Sequence, residues 1–156
     1  MSDYLEPTDT RYTERERGLI LIGREAIAVE NDAALDAYFA SGYALHGPAG
    51  TMGFDDVKAF FASMRAAFRD FRCERRELVS RGDLIAARTA MSGIFEDAFT
   101  SSPVGVVQPN GAPMAIELIN FFRYDADGRL AEEWVQFDNL GMLKQIGVLL
   151  RPAALD

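Results

Sequence analysis

The sequence has one cysteine and one histidine among its 156 residues. A single cysteine excludes an internal disulfide and a cysteine-rich metal site. A single histidine excludes metal motifs that need two histidines, and it leaves a Ser-His-Asp arrangement one candidate, His46. We therefore expect no metal centre in this protein.

Positive charge is also scarce, because 16 Lys and Arg residues face 24 Asp and Glu residues, for a net charge of −8. Nucleic-acid grooves and anionic membrane surfaces both reward clustered Lys and Arg, so we expect neither partner. One basic cluster is interrupted by Glu74 and Glu77 and is predicted to form a solvated strand face; it consists of Arg72, Arg75, Arg76 and Arg81.

Long apolar runs are missing as well. No segment reaches the roughly 18 apolar residues of a membrane span. The first residues, M-S-D-Y-L-E-P-T-D-T, are acidic and lack the basic and apolar regions of a signal peptide. These absences predict a cytoplasmic protein without a membrane partner.

What the chain does have is enough apolar material for one core, with 49% hydrophobic residues. We predict a flexible N-terminal arm over residues 1–12, a single domain over 13–150 and a tail over 151–156. Thr13 and Glu16 have the spacing of a capping box, which predicts a helix start. Asn31 is placed to cap a second helix, A-A-L-D-A-Y-F-A, that ends at Gly42.

A third helix is predicted from Phe54 by an aromatic stripe at helical spacing. Such a stripe is typical of a core, although a cavity wall would have the same pattern. The stripe comprises Val57, Phe60, Phe61, Met64 and Phe68. The segment between the second and third helices, which carries His46, is too rich in Gly and Pro for a long element.

The second half of the chain has strand character. Residues 71–80 and 84–95 flank the turn signal R-G-D, and residues 114–124 and 129–138 flank D-A-D-G. Between these hairpins, residues 99–113 are predicted to form a long loop or lid. A final helix is predicted to end near Leu150. Three helices, about four antiparallel strands and a helix indicate an α+β fold, with helices on one face of a bent sheet.

Glu132, Trp134, Gln136 and Asp138 occupy alternate positions at the end of the last strand, so an extended chain points all four to one face. A face with one indole, one amide and two carboxylates is typical of a ligand cavity. The alternative is that Asp138 only caps the following helix and that Trp134 belongs to the core.

Five short motifs in a fixed order carry a family resemblance over residues 30–148. They are H-G-P-A-G-T-M-G, F-F-A-S-M-R-A-A-F-R-D-F, L-V-S-R-G-D-L-I-A-A-R-T, G-R-L-A-E-E-W and D-N-L-G-M-L-K-Q-I-G. Together they resemble the SnoaL-like polyketide (ester) cyclase family of the nuclear-transport-factor-2-like (NTF2-like) superfamily. The resemblance implies a cone-shaped, curved antiparallel sheet wrapped around helices, with an internal ligand cavity.

The resemblance also implies a function: a cofactor-free acid/base enzyme that closes a ring in a small hydrophobic, oxygenated molecule by an intramolecular aldol reaction. Asp138 matches the aspartate of the family's W-x-x-x-D segment and would be the general base, with a pKa raised by burial. His46 and Gln136 would donate hydrogen bonds to the enolate oxygen. The other expected substrate-binding residues are Glu132, Trp134, Phe60, Phe61, Met64, Asn120 and Phe95.

One position departs from the family. Many members carry G-T-H-x-G in the central strand, and Phe95 stands here in place of that histidine. The change makes the expected pocket more apolar and removes a proton carrier. Two alternatives to cyclisation therefore stay open: other acid/base chemistry, namely epoxide hydrolysis, dehydration or isomerisation, and a non-catalytic protein that binds an apolar ligand. A homodimer is expected in either case.

Overall fold

A computed structural model describes residues 3–154 of the chain. It has four α-helices, a short π-helical segment and six strands. In chain order they are α1 (Glu14–Ile22), the π-helical segment (Gly23–Ile27), α2 (Asp32–Tyr38), β1 (Phe39–Gly47), β2 (Gly50–Gly53), α3 (Phe54–Ala67), β3 (Phe68–Arg81), β4 (Leu84–Phe95), β5 (Pro113–Tyr124), β6 (Leu130–Phe137) and α4 (Asn139–Gln145).

The strands form one curved, unclosed sheet in the order β2-β1-β6-β5-β4-β3. The predicted α+β cone fold is confirmed, and so are the two predicted hairpins, β3–β4 and β5–β6. The sheet is mixed rather than purely antiparallel, because β1 pairs with β6 in parallel. All other neighbouring strands are antiparallel.

The first two strands were not predicted. The second helix ends at Tyr38, and the chain continues as β1 through the segment that was expected to be irregular. Gly50 has a φ of 110°, a conformation that glycine adopts without steric cost, and it lets β2 turn back along β1. Glycine in this segment therefore marks a tight hairpin and not the absence of regular structure.

The predicted helix starts are confirmed. The Thr13 side chain accepts a hydrogen bond from the Glu16 amide, and the Glu16 carboxylate accepts one from the Thr13 amide. Asn31 caps α2 through the amide of Ala34. Immediately after α1, the backbone of Gly23 lies against β3, where an added Cβ would stand 2.7 Å from the carbonyl oxygen of Cys73. Glycine is thus required for this close packing of helix on sheet.

The core lies between the inner face of the sheet and the helices. Along β5 every second residue from Met114 to Tyr124 is buried, and the residues between them are exposed. Two register shifts bend β3, between Arg69 and Arg72 and between Arg75 and Glu77. Such irregularities increase the local twist and bend of a strand, so the sheet curves around α3.

The ends of the domain differ from expectation in detail. The last helix ends at Gln145, earlier than predicted. Within the predicted N-terminal arm, the Leu5 amide donates to the Arg75 carbonyl, and Glu6 pairs with Arg24. Residues 1 and 2 of the predicted arm and residues 155 and 156 of the predicted tail lie outside the described part of the chain. Among residues 3–154, no helix is long and apolar enough to cross a membrane.

Candidate functional site

A pocket of about 560 Å³ lies between the inner face of the sheet and the helices. All six strands contribute to its wall, together with α1, α3 and α4. The wall is largely apolar, with Phe39, Phe61, Met91, Leu118 and Val135 as examples. Phe99 and Pro103, from the predicted lid between β4 and β5, also line it. Such a pocket suits a small, largely hydrophobic molecule.

Glu133 is the carboxylate on the pocket wall that lies deepest in the protein, with 8% of its surface exposed. It stands on β6, opposite Phe122 of β5. Two donors hold its carboxylate: the Tyr43 hydroxyl donates to Oε2 at 2.6 Å, and the Asn120 Nδ2 donates to Oε1 at 2.9 Å. Both oxygens are therefore fixed, and the carboxylate is presented in one orientation.

The polar network continues across the sheet. The Thr89 hydroxyl donates to the Asn120 Oδ1 at 2.8 Å, and the Arg75 Nη1 donates to the Thr89 Oγ1 at 2.6 Å. Glu133, Asn120 and Arg75 line the pocket. The prediction that Arg75 belongs to a solvated face is wrong, because Arg75 is 3% exposed. Arg75 follows Cys73 by two residues on β3, so the alternation of the strand puts both side chains on the inner face.

The pKa of Glu133 is raised above its ordinary value. Burial is the main cause, because it penalises the charged form. The Tyr43 hydrogen bond, the Arg75 charge and the Asn120 hydrogen bond each act in the opposite direction. Burial also raises the pKa of Tyr43, so this phenol keeps its proton and its hydroxyl donates a hydrogen bond to Glu133. A carboxyl group with a raised pKa is, in its ionised form, a stronger base than an ordinary glutamate and can accept and return a proton.

This shift predicts a specific dependence of stability on pH. A carboxyl whose pKa is higher in the folded state stabilises the fold most below its unfolded pKa, here 4.5, and this contribution is lost as the pH rises through the folded pKa. The Glu133→Gln variant lacks this titration. We therefore expect the free energy of unfolding of the variant, measured by urea titration, to increase relative to that of the wild type as the pH rises above 4.5. Parallel curves for the two proteins would contradict the raised pKa.

The sequence-predicted site residues separate into two groups. Asn120, Phe60 and Phe61 line the pocket. Glu132, Trp134 and Gln136 do not, since they point to the opposite face of β6 from Glu133 and Val135. The prediction that their face lines the cavity is wrong. The physical reason is the two-residue period of a strand, which sends Glu132 and Glu133 to opposite sides of the sheet.

His46 also lies on the outer face, beside these residues. Its ring stacks on Trp134 with 5.4 Å between centroids, and its Nε2 is 2.9 Å from the Glu132 Oε1. The Arg123 guanidinium covers Trp134 at 5.0 Å and lies 3.3 Å from Glu132. The parallel pairing of β1 and β6, which sets His46 beside Trp134, produces this surface cluster. His46 therefore lies outside the pocket.

Met64 and Phe95 are in the core and not on the pocket wall. Met64 is fully buried on α3. Phe95 is fully buried at the end of β4, where its ring stacks on Phe68 with 5.1 Å between centroids. The predicted contact of these two residues with a ligand is therefore not supported by their positions.

Asp138 is exposed at the start of α4. Its Oδ1 accepts a hydrogen bond of 2.7 Å from the Gly141 amide, which is the contact of a helix N-cap. Asp138 is not part of the pocket wall, although its neighbour Asn139 is. Of the two readings of this residue, the structure favours the cap.

The cap predicts how Asp138 variants behave. Asp138→Ala should lower the free energy of unfolding by about 1 kcal/mol, because the Gly141 amide loses its acceptor, whereas Asp138→Asn should change it little. Asp97→Ala is a matched control, since Asp97 is exposed and its side chain has no hydrogen bond within residues 3–154. Urea unfolding of the three variants measures this. A large loss in Asp138→Asn would contradict a purely capping role.

Sequence reasoning missed Glu133, Tyr43, Thr89 and Arg75. A signal for the site was present in β5, where Asn120 interrupts an otherwise apolar inner face. In β6, Val135 and Phe137 are two apolar residues at the alternate positions that include Glu133, whereas Trp134 lies between two polar residues, Glu132 and Gln136, at the other alternate positions. If the face of β6 that carries Val135 and Phe137 had been taken as the inner face, Glu133 would have been placed beside Asn120.

Within residues 3–154, no three His, Cys, Asp or Glu side chains are grouped so that they could hold a metal ion.

The fold and the site together define a class: small α+β cone proteins with one buried carboxyl group in an apolar pocket. The sequence pattern of the family described as SnoaL-like polyketide cyclase matches residues 23–146. The chain belongs to this family.

Solved structures agree with this assignment. IdmH from Streptomyces antibioticus, described as a candidate polyketide cyclase, is 25% identical in sequence and superposes with a TM-score of 0.72. The alignment covers 87% of this chain and 100% of the IdmH chain. A candidate polyketide cyclase from Acidithiobacillus ferrooxidans is 21% identical with a TM-score of 0.72, covering 86% and 94%. A Catenulispora acidiphila protein with a ketosteroid isomerase-like fold is 17% identical with a TM-score of 0.64, covering 89% and 98%. The last two similarities show the fold alone, and no curated protein matches significantly.

Proposed function

We propose that this protein is an acid/base enzyme that cyclises a small hydrophobic, oxygenated molecule by an intramolecular aldol reaction, with Glu133 as the general base. The observation that carries the proposal is the placement of Glu133: a buried carboxylate with a raised pKa, held by two donors, on the wall of an apolar pocket. Asp138, the base expected from the family pattern, lies outside this pocket, and the proposed role passes to Glu133.

The proposed reaction begins with a carbon acid, a C–H bond between two carbonyl groups of the substrate. Glu133 takes this proton, so the C–H bond breaks, an O–H bond forms on the carboxyl group and the electron pair enters the enolate. The enolate carbon then attacks a second carbonyl of the same molecule and forms the ring's new C–C bond. The resulting alkoxide takes the proton back from Glu133, which restores the carboxylate.

The pocket supports this chemistry in two ways. Its apolar wall keeps Glu133 poorly solvated, which makes the carboxylate a stronger base than it would be in water. The hydrogen bonds from Tyr43 and Asn120 fix the carboxylate, so the reacting C–H bond meets a preset acceptor. The same wall selects a substrate whose surface is mainly hydrocarbon.

A second candidate rests on the pair formed by Glu133 and Asn120. A carboxylate next to an amide can hold a water molecule and activate it, which is the arrangement that epoxide hydrolysis requires. Dehydration or isomerisation would use the same carboxyl group. A non-catalytic carrier is less consistent with the site, because burying a carboxylate and an arginine costs free energy that ligand binding alone does not require.

Two expectations about partners stay predictions. One is the small hydrophobic ligand, and the other is a homodimer. The outer face of the sheet exposes Ile119 and Phe121 near Trp134, which is compatible with a second copy of the chain. Light scattering of the purified protein over a concentration series measures the oligomeric state.

The proposed function is tested by proton exchange, which requires no knowledge of the final product. The protein is incubated in D₂O with cyclic and open-chain β-keto esters, and loss of the proton between the two carbonyls is followed by NMR. We expect exchange above the buffer rate, inhibited by an apolar competitor that stabilises the protein thermally. Stabilisation by inert apolar ligands without any exchange would favour the carrier, and turnover of small epoxides without exchange would favour the hydrolase.

A further inference from the structure

Arg75 is a buried cation without a carboxylate in direct contact. Its guanidinium lies over the Phe122 ring at 5.0 Å, its Nε donates to the Leu19 carbonyl at 3.3 Å, and its Nη1 donates to the Thr89 hydroxyl. No salt bridge joins Arg75 to any acidic residue of the described chain, residues 3–154. An arginine keeps its charge in proteins, and a buried charge is costly unless an anion compensates for it.

The compensating anion lies at the other end of the polar network. A guanidinium has only donors, so the Thr89 oxygen must accept from Arg75. The Thr89 hydroxyl proton then points to the Asn120 Oδ1, which leaves the Asn120 NH₂ group to face Glu133. Each hydrogen bond along the chain Arg75–Thr89–Asn120–Glu133 is therefore donated in the direction of Glu133. The last donor is the Asn120 NH₂ group, and its acceptor is the Glu133 carboxylate.

We propose that Arg75 is a positioning residue that acts through Thr89 and Asn120 to orient Glu133 and to favour its ionised, proton-accepting form. This inference rests on the proposed function, since it assigns a role to the network behind the proposed base. Without the cation, the Asn120 amide could rotate and present its oxygen to Glu133, and an amide oxygen favours the protonated carboxyl group.

The groups that surround Glu133 agree with this role. They come from α2, β1, β3 and β5, and they are Tyr38, Tyr43, Cys73, Arg75 and Tyr124. Four of them are acids that burial keeps protonated, and Tyr38 and Tyr124 share a hydrogen bond between their hydroxyls. Arg75 is the cation of this set, and it lowers the pKa of Glu133 against the effect of burial. The network thus keeps a buried carboxyl group able to lose its proton.

The test measures the protonation of Glu133 directly. Protein labelled with ¹³C at the glutamate carboxyl carbons is titrated by NMR, and the Glu133 signal is assigned by its absence in Glu133→Gln. Three variants are compared with wild type: Thr89→Val, which removes the hydroxyl, Thr89→Ser, which keeps it, and Arg75→Met, which removes the cation. Arg88→Met is the matched control, because Arg88 neighbours Thr89 on β4 but is exposed and pairs with Glu77.

We expect the Glu133 titration midpoint to rise in Thr89→Val and to rise further in Arg75→Met. It should stay at the wild-type position in Thr89→Ser and in Arg88→Met. If Arg75→Met does not fold, the Val and Ser variants of Thr89 still decide the matter. Equal midpoints in these two variants would overturn the proposal, and so would a rise in Arg75→Met alone, which would show a through-space charge effect without a relay.

The titration and the proposed function can fail separately. The midpoints are measured without any substrate, so they test the network even if no proton exchange is found. Where exchange is found, the acid limb of its pH profile should move with the Glu133 midpoint in Thr89→Val and return in Thr89→Ser. A fixed acid limb with a moving midpoint would show that the network acts on Glu133 but that Glu133 is not the base.

Discussion

Replacing Glu133 by glutamine is expected to lower the rate of carbon-acid proton exchange by about 10²- to 10⁴-fold, the usual contribution of a positioned general base. Glutamine has the size of glutamate, and its amide can still accept from Asn120 and offer a donor to the Tyr43 oxygen. The fold and the pocket shape should therefore persist. Ligand affinity, measured by thermal shift with an apolar competitor, should change little.

The matched control is Asp138→Asn. It removes one carboxylate close to the pocket while it keeps the hydrogen bond to the Gly141 amide. We expect exchange at close to the wild-type rate in this variant. If Asp138→Asn lost activity and Glu133→Gln kept it, the base would be Asp138, and the assignment of the buried carboxylate as base would be wrong.

Truncating Phe95 to alanine is expected to lower the free energy of unfolding by about 3–5 kcal/mol, because its ring is fully buried and would leave a cavity. The ring stacks on Phe68 and lies within the core cluster of the domain. Phe121→Ala is the matched control, since Phe121 is 45% exposed on the outer face of the sheet and should cost much less. Urea unfolding of both variants measures the difference.

Phe95→His extends this prediction to the family pattern. The position is a core position in this chain, so an imidazole would be buried against Phe68 rather than presented to a ligand. We expect a loss of stability without a gain in proton exchange. A stable Phe95→His variant with faster exchange would contradict this and would show that the histidine position communicates with the pocket.

Much of the fold could be predicted from local patterns. Capping residues such as Thr13 and Asn31 act through contacts a few residues away, and turn signals such as R-G-D join strands that are adjacent in sequence. The parallel pairing of β1 with β6 joins segments almost ninety residues apart, as in the contact of His46 with Glu132. No local pattern encodes such a pairing. The β1–β2 hairpin is local, but it was missed because the Gly and Pro residues of this segment were taken to exclude regular structure.

The face of β6 that was predicted to line the cavity is one residue out of register with the face that lines the pocket. The prediction favoured Trp134 and Asp138 because an indole and a helix-capping carboxylate stand out in the sequence. On the inner face of β6 lie instead Val135, which is buried, and Phe137, which is partly buried, and Glu133 shares this face with them. A one-residue slip exchanges the two faces of a strand completely, so the carboxylate of β6 that faces the pocket is Glu133 and not Glu132. Asn120 does line the pocket, because β5 alternates without interruption, and its predicted contact with a substrate stays a prediction.

The central claim is that Glu133 is the group that accepts the proton. The most direct test compares two pKa values in the wild-type protein: that of the Glu133 carboxyl, from its ¹³C titration, and that of the acid limb of kcat/KM for proton exchange, which reports the essential base of the free enzyme. We predict that the two coincide and lie above 4.5, the ordinary value for glutamate. An acid limb that differs from the Glu133 titration, and that persists unchanged in Glu133→Gln, would contradict the claim.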